Sequence, residues 1–399
     1  MCSFAHYLKN IKRQNKMKML KLFGLLLLGA SLFACDSSDD KDGDWSKARE
    51  FGGVTRVGAV SFQIGDNVYV GLGYDGNRTY GDKEMRDFWK FRNNNWVKVD
   101  SFPGLGRFGA VAFVVDGKAY VGTGYRPQRS INVAGGAVDG SDTVIIQEKR
   151  YFSDFYVFDG ATETWQKDSL SGDFAFPAQG REHAVAFSVG GKGFVGTGAI
   201  DANTVTSDFF KFDPATGWST TDFPGDSRRG AVAFVINNDA IVCTGTGTGS
   251  SAASNYKYDV LKYNSDTDKW SSCNPITNRS DHSFDDDYNK ILRAYGVSFV
   301  SKLDAGDGIP RGYVACGAGS YNRTVWEYNI KRDRWYDVTS LPSAMTTPRV
   351  SAVSFSLNGY GYVTTGGSSI ENAVYQDSWR FVPGVKEDDD NDYSIVEVK

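Results

Sequence analysis

The chain has 399 residues, of which 41% are hydrophobic, 14% aromatic and 23% charged, with 44 basic and 48 acidic side chains and a formal net charge of −4. Acidic groups in excess leave no basic face of the kind that nucleic acid binding requires, so nucleic acid is not an expected partner. Five cysteines and three histidines supply few ligands for a metal centre.

Residues 1–21 carry six basic groups and no acidic one, and the following run LFGLLLLGASLFA is too short to span a bilayer as a stable helix. This is the pattern of a signal peptide, ending at residue 34; Met17 or Met19 would give a more ordinary start than Met1. Leu32-Phe33-Ala34-Cys35 resembles a bacterial lipobox, which predicts a lipidated Cys35 and a membrane-attached protein; a simple secretory signal is the plainer alternative. Residues 35–44, with DSSDDKDGD, form an acidic tether that cannot bury enough apolar surface to fold. The tether resembles the acidic signals that send lipoproteins of Gram-negative bacteria to the outer face of the outer membrane. Without the signal the chain has 38 basic and 48 acidic groups. The tether and the tail at 384–399 contribute −4 each, so the body at 45–383 is nearly neutral, at about −2. Of the cysteines beyond Cys35, Cys243 and Cys316 fall at second strands as small buried hydrophobes, and spacing alone does not say whether Cys273 pairs with either.

From Arg56 onward one stretch recurs. RFGAVAFVVDGKAYVGTG at Arg107 has counterparts led by Arg56, Arg181, Arg228, Arg293 and Arg349, at steps of 51, 74, 47, 65 and 56 residues. An apolar run, a short turn and a second run ending in glycines read as a β-hairpin. A third strand follows with the pattern D-F-x-x-F, at Asp87, Asp154, Asp208, Asp259 and Asp377, weakened at Thr324. A fourth strand carries Trp96, Trp165, Trp218, Trp270 and Trp335. Four antiparallel strands per repeat make one propeller blade. The sixth unit lacks its tryptophan strand, and Trp45 stands 11 residues before Arg56, as Trp96 stands before Arg107. The chain is therefore predicted to be an all-β, six-bladed propeller whose last blade is closed by the N-terminal strand, leaving no open edge. The glycine pair after strand two and the tryptophan of strand four resemble the kelch repeat, and the resemblance covers residues 45–383.

The loops between strands two and three, and those between blades, emerge on one face of a propeller. The long ones here are 125–153 in blade 2 and 272–292 before blade 5, and long loops on a rigid scaffold are where binding is expected. The same face is expected to carry Arg56, Arg107, Arg181, Arg228, Arg293 and Arg349 as a ring of cations suited to a carboxylate, sulfate or phosphate. Arginines that only bond neighbouring carbonyls are the plainer reading. Glu182-His183 is the candidate acid–base pair; a solvated Glu182, with His183 filling a turn where other repeats have Gly58, Gly109 or Gly230, is the plainer account. Asp285-Asp286-Asp287 near His282, and the acidic run Asp388-Asp389-Asp390-Asn391-Asp392, read as solvated loops and not as calcium sites. The glycines of VGTG and TGTGTG open no helix and are read as strand ends, not as a phosphate loop. The recurrent Asp of the third strand is expected to accept backbone N–H groups at a turn.

No cofactor and no metal are expected. The copper oxidases among kelch proteins need two histidines, two tyrosines and a cysteine joined to one of the tyrosines; the mature chain has His183 and His282 and no histidine to spare, and such a site is not expected. The first functional expectation is an envelope-anchored lipoprotein that binds a glycan or a protein partner, without catalysis. The alternative rests on resemblance: six-bladed kelch propellers include the bacterial sialic acid mutarotases, which implies an isomerase acting on an anionic sugar.

Overall fold

A computed structural model describes residues 42–78, 82–133, 142–248, 255–278, 287–303, 306–373 and 375–386. The signal segment, Cys35, nearly all of the tether, His282, Asp285, Asp286 and the acidic tail from 387 lie outside the described residues. The described chain is a ring of six four-stranded antiparallel sheets, the six-bladed propeller expected from the repeats. Blade 1 shows the pattern: strands Val60–Ile64, Asn67–Gly71, Phe88–Arg92 and Asn95–Val99 pair in sequence order. A glycine ends strand two because the third-strand aromatic lies on it. A Cβ on Gly71 would stand 2.3 Å from the Phe88 ring, and one on Gly122 would stand 2.4 Å from that of Phe155.

Alternation along each strand sends one set of side chains into the contact between neighbouring blades, where the core sits. Blades 5 and 6 share one such layer, in which Val297, Phe299 and Tyr313 pack with Trp45, Val363, Trp379 and Phe381. In five blades an aromatic of strand one stacks on an aromatic of strand two, as Phe62 on Tyr69 and Phe113 on Tyr120, both at 5.0 Å.

Blade 6 consists of Val353–Leu357, Tyr360–Thr364, Ser378–Lys386 and, outermost, the N-terminal strand Asp42–Ala48. Trp45 faces Phe381 in the register, so the strand from the other end of the chain completes the sixth sheet. Pairing runs slightly further than the sequence boundaries at 45 and 383: Gly43 pairs with Pro383 and Asp42 with Lys386, past an irregularity in register.

The blade 2 insertion leaves the sheet as paired segments. Tyr125–Arg126 pairs with Arg150–Tyr151, and beyond them Arg129–Val133 pairs with Asp142–Gln147. Cys243, Cys273 and Cys316 are free thiols. Burial raises the pKa of all three, that of Cys243 to about 12 and that of Cys316 to about 11, so neither of these two is a ready nucleophile.

Candidate functional site

The six repeat arginines do not present cations to solvent. Arg56, Arg107, Arg228 and Arg349 are 0% exposed, and Arg181 and Arg293 are 1% exposed. Their donors are directed to neighbouring carbonyls and carboxylates, while Arg349 Nε has no hydrogen-bond partner among the described residues. Arg56 Nη1 and Nη2 hold Asp87 at 2.9 and 3.0 Å while Nη1 also reaches the Leu72 carbonyl at 3.0 Å. Arg181 and Asp208 repeat this at 2.6 and 2.8 Å, and Arg349 Nη2 holds both oxygens of Asp377 at 2.7 and 2.9 Å. Arg107 pairs with Asp154, and Arg228 with Asp259. Five of the guanidinium groups also lie over aromatic rings, Arg107 at 3.7 Å from Phe152. The expected ligand-binding ring is thus corrected: these arginines clamp strand three to strands one and two, and in five blades a ligand would have to displace a paired aspartate to reach them. The third-strand Asp is corrected with them, since its principal partner is the guanidinium and not a turn amide. Burial alone would raise the Asp87 and Asp208 carboxyls, but hydrogen bonds from Arg56 and Arg181 hold both below the usual carboxylate range.

Blade 5 shows what happens without the aspartate. Thr324 stands in its place, and Arg293 reaches Thr324 O at 3.0 Å and Thr324 Oγ1 at 2.9 Å. Burial with no facing carboxylate pushes the Arg293 guanidinium down to about 10. Arg107→Ala is expected to cost about 2–3 kcal/mol, somewhat under the range for breaking a buried ion pair because Asp154 retains contact with water. Arg107→Lys is expected to recover little of this, since an ammonium cannot make the paired contact. Urea unfolding of the two variants checks this; midpoints equal to that of the parent would contradict it.

The residues just after the arginines build the mouth of the channel. Two positions on, Gly58, Gly109, His183, Gly230, Tyr295 and Ser351 all have φ between 48° and 62°. Their backbones close a ring around the axis: each N–H donates to the carbonyl of the equivalent residue one blade back, at 2.7–3.0 Å, beginning with the Gly58 N–H to the Ser351 carbonyl and ending with the Ser351 N–H to the Tyr295 carbonyl. Glycine suits this left-handed slot best. His183, Tyr295 and Ser351 occupy it at a conformational cost, and strained residues of this kind collect at functional sites. Below the ring the channel is lined by small residues such as Ala110, Ala112, Ser61 and Ser298, leaving about 200 Å³.

The position directly after each arginine reads Val57, Phe108, Glu182, Arg229, Ala294 and Val350. Two charges of opposite sign thus stand in an apolar column, on adjacent blades. Glu182 is not solvated, as the plainer reading had it: it is 5% exposed. Its Oε2 lies 3.5 Å from His183 Nδ1 and its Oε1 lies 3.6 Å from Arg229 Nη1. His183 Nε2 lies 3.4 Å from Ser351 Oγ, and the imidazole meets the Tyr295 ring edge-on at 4.9 Å. His183 Nδ1 and Arg229 Nε are buried without a hydrogen-bond partner among the described residues. Burial pushes the Tyr295 hydroxyl up to about 12, so it stays a donor at neutral pH.

An aromatic wall flanks this cluster. Tyr74 meets Phe108 at 5.1 Å, Phe108 meets Tyr125 at 5.4 Å, and Tyr125 meets Tyr151 at 4.7 Å. Tyr125 and Tyr151 come from the blade 2 insertion, which is braced beneath by Glu84, Arg129 and Gln147: Arg129 holds Glu84 at 2.8 Å, and its Nε donates to Gln147 at 2.9 Å. A carboxylate, an imidazole, a guanidinium and a phenol in one half-enclosed place, beside flat apolar rings, can hold an anionic polar ligand and move a proton on it. Arg229 and Tyr295 are not legible as site residues from the repeat, because each stands at a position that the other blades fill differently. The departures from the repeat, in the two columns after each arginine, were the available signal.

No family model matches the chain. Among curated proteins it is similar to the N-acetylneuraminate epimerase of Shigella boydii serotype 4 (strain Sb227), at 29% identity over 309 residues, covering 69% of this chain and 78% of that protein. It is similar to the N-acetylneuraminate epimerase of Escherichia coli (strain K12) at 28% identity over 309 residues, with the same shares covered. Among solved structures it is similar to one described as the structure of YjhT, with a TM-score of 0.56 and 18% identity, covering 83% of this chain and 95% of that one. The last likeness concerns the fold, which is all-β and six-bladed in both.

Proposed function

We propose that the protein interconverts the anomers of an acidic sugar of the N-acetylneuraminate type at the mouth of the propeller. The reading placed first from sequence was binding without catalysis. The similarity to curated N-acetylneuraminate epimerases over 69% of the chain favours the isomerase instead. The observation that carries the proposal is the buried cluster of Glu182, His183 and Arg229 at the axis.

Anomer exchange requires little. The bond between the anomeric carbon and the ring oxygen breaks, the anomeric hydroxyl loses a proton, and the ring oxygen gains one. Reclosure on the other face of the carbonyl reverses each step, so no proton, electron or water is consumed. The reaction therefore needs one group to accept a proton and one to donate it, both returned to their starting state. Glu182 takes the proton of the anomeric hydroxyl and His183 delivers one to the ring oxygen. Arg229, whose Nε has no internal partner among the described residues, holds the sugar carboxylate. The hydroxyl of Tyr295 donates to the developing carbonyl, and the wall of Tyr125 and Tyr151 packs on the sugar. Exchange spectroscopy on N-acetylneuraminate by NMR tests this. The anomer exchange rate should rise in proportion to protein concentration, and a rate equal to that in buffer alone would overturn the proposal.

The proposal includes the location. Anchoring at the bacterial envelope through lipid on Cys35 is supported by the lipobox-like Leu32-Phe33-Ala34-Cys35 and the acidic tether. Cys35→Ala is expected to shift the protein from the membrane fraction to the soluble fraction or to leave an uncleaved precursor. Mature-length variant retained on carbonate-washed membranes would contradict the anchor.

A further inference from the structure

The blade 2 ribbon has a second face. Tyr125 pairs with Tyr151 and Arg126 with Arg150, so alternation sends the tyrosines to the mouth and both arginines to the outer side. Two cations directly opposite one another on a ribbon repel, and folding gains nothing from placing them there. They line an open cleft of about 550 Å³ with Lys149, Leu105, Gln147 and Glu148, so among the described residues three cations face a single carboxylate. Gln147 is committed to the brace under the ribbon, with its amide nitrogen on the Pro127 carbonyl at 2.6 Å. Arg126 Nε is buried and has no hydrogen-bond partner among the described residues. Arg150 is carried over the Phe152 ring at 4.9 Å and Lys149 over the Tyr151 ring at 5.9 Å, which orders both heads without neutralising them. The charge of Arg150 also adds to the effect of burial in lowering the neighbouring Arg107 guanidinium. All this occurs in a chain whose net charge is negative. Leu105, 43% exposed, adds an apolar surface to the cleft.

We propose that Arg126, Lys149 and Arg150 form a second anion-binding site, on the outer face of the blade 2 ribbon, for the acidic group of a saccharide unit. The oxyanion chemistry follows from cations that have no carboxylate partner among the described residues. The choice of a saccharide as its carrier rests on the sugar-binding reading of the mouth, from which the ribbon separates this cleft.

The test uses the mature protein at low ionic strength and calorimetric titration with three probes: a uronic acid tetrasaccharide, its neutral methyl ester, and inorganic sulfate. The acidic tetrasaccharide should bind at least about tenfold more tightly than the ester, as expected where charge-assisted pairs carry recognition. Arg126→Gln/Arg150→Gln should weaken it by a similar factor and should not lower the melting temperature, since a repulsive pair is removed. Its N-acetylneuraminate exchange rate should stay at the parent value. Equal binding of the tetrasaccharide by parent and variant would overturn the site. Binding of sulfate without the tetrasaccharide would overturn the saccharide as its carrier. A parallel loss of anomer exchange would place these arginines in the mouth and overturn a separate site. A parent protein without anomer exchange would count against the isomerase reading alone and leave the binding comparison as it stands.

Discussion

Glu182→Gln is expected to slow anomer exchange of N-acetylneuraminate by about 10²–10³, within the range that a positioned acid–base group contributes. The substitution keeps size and polarity and removes a carboxylate that lies within 4 Å of both His183 and Arg229. The amide has no lone pair basic enough to take the anomeric proton. Binding should suffer less than turnover, because Arg229 is retained. The folded state should hold, since Glu182 takes part in the backbone bridge to Ala199 through its own N–H and C=O, which the substitution leaves in place. A parent-like rate in the variant would remove Glu182 from the reaction even if the protein proves to be a mutarotase. Tyr295→Phe should cost less, because one donor is lost while the carboxylate and imidazole remain.

The fold was legible because six repeats solve one packing problem six times. Arginine, glycine and tryptophan recur at positions where each blade needs a clamp, a bare backbone and an outer plug. What the arginines bind was not legible, because the partner Asp lies 31, 47, 27, 31 and 28 residues further on, across loops of unequal length. A buried bidentate pair and an exposed cation look alike in a sequence; only the strand order brings Asp87 behind Arg56. The mouth was hidden for the opposite reason. Glu182, His183, Arg229 and Tyr295 are where the repeat is broken; the first two stand out as an acid beside an imidazole, whereas Arg229 and Tyr295 are passed over by a reading that searches for recurrence. Charges of opposite sign in the column Val57, Phe108, Glu182, Arg229, Ala294, Val350 mark blades 3 and 4 as different from the rest. Topology then puts those blades side by side, and the salt link from Glu182 to Arg229 follows from that adjacency.

Deleting residues 1–48 is expected to destabilise the propeller far more than deleting residues 1–41. The shorter deletion stops just before the paired strand Asp42–Ala48. The longer one removes every partner of Ser378–Lys386 on that side and takes Trp45, 2% exposed, out of the contact between blades 5 and 6. Trp45 lies 5.1 Å from the Phe381 ring and 6.2 Å from that of Phe299. Removing that side chain alone costs about 3–5 kcal/mol, which in a domain of this size lowers the melting temperature by about 4–7 °C. Seven residues of pairing are lost in addition, and the exposed edge is a template for self-association. Downstream of the cut, Gln376 still donates to the carbonyls of Phe51 and Gly53, at 3.0 and 2.9 Å, so the remaining N-terminus stays attached and the damage centres on the sixth sheet and its contact with blade 5. A synthetic peptide spanning residues 42–48 should therefore add as the missing strand and recover part of the lost melting temperature, whereas the same peptide with Trp45→Ala should not. Equal melting temperatures for the two truncations would show that the ring closes without its N-terminal strand.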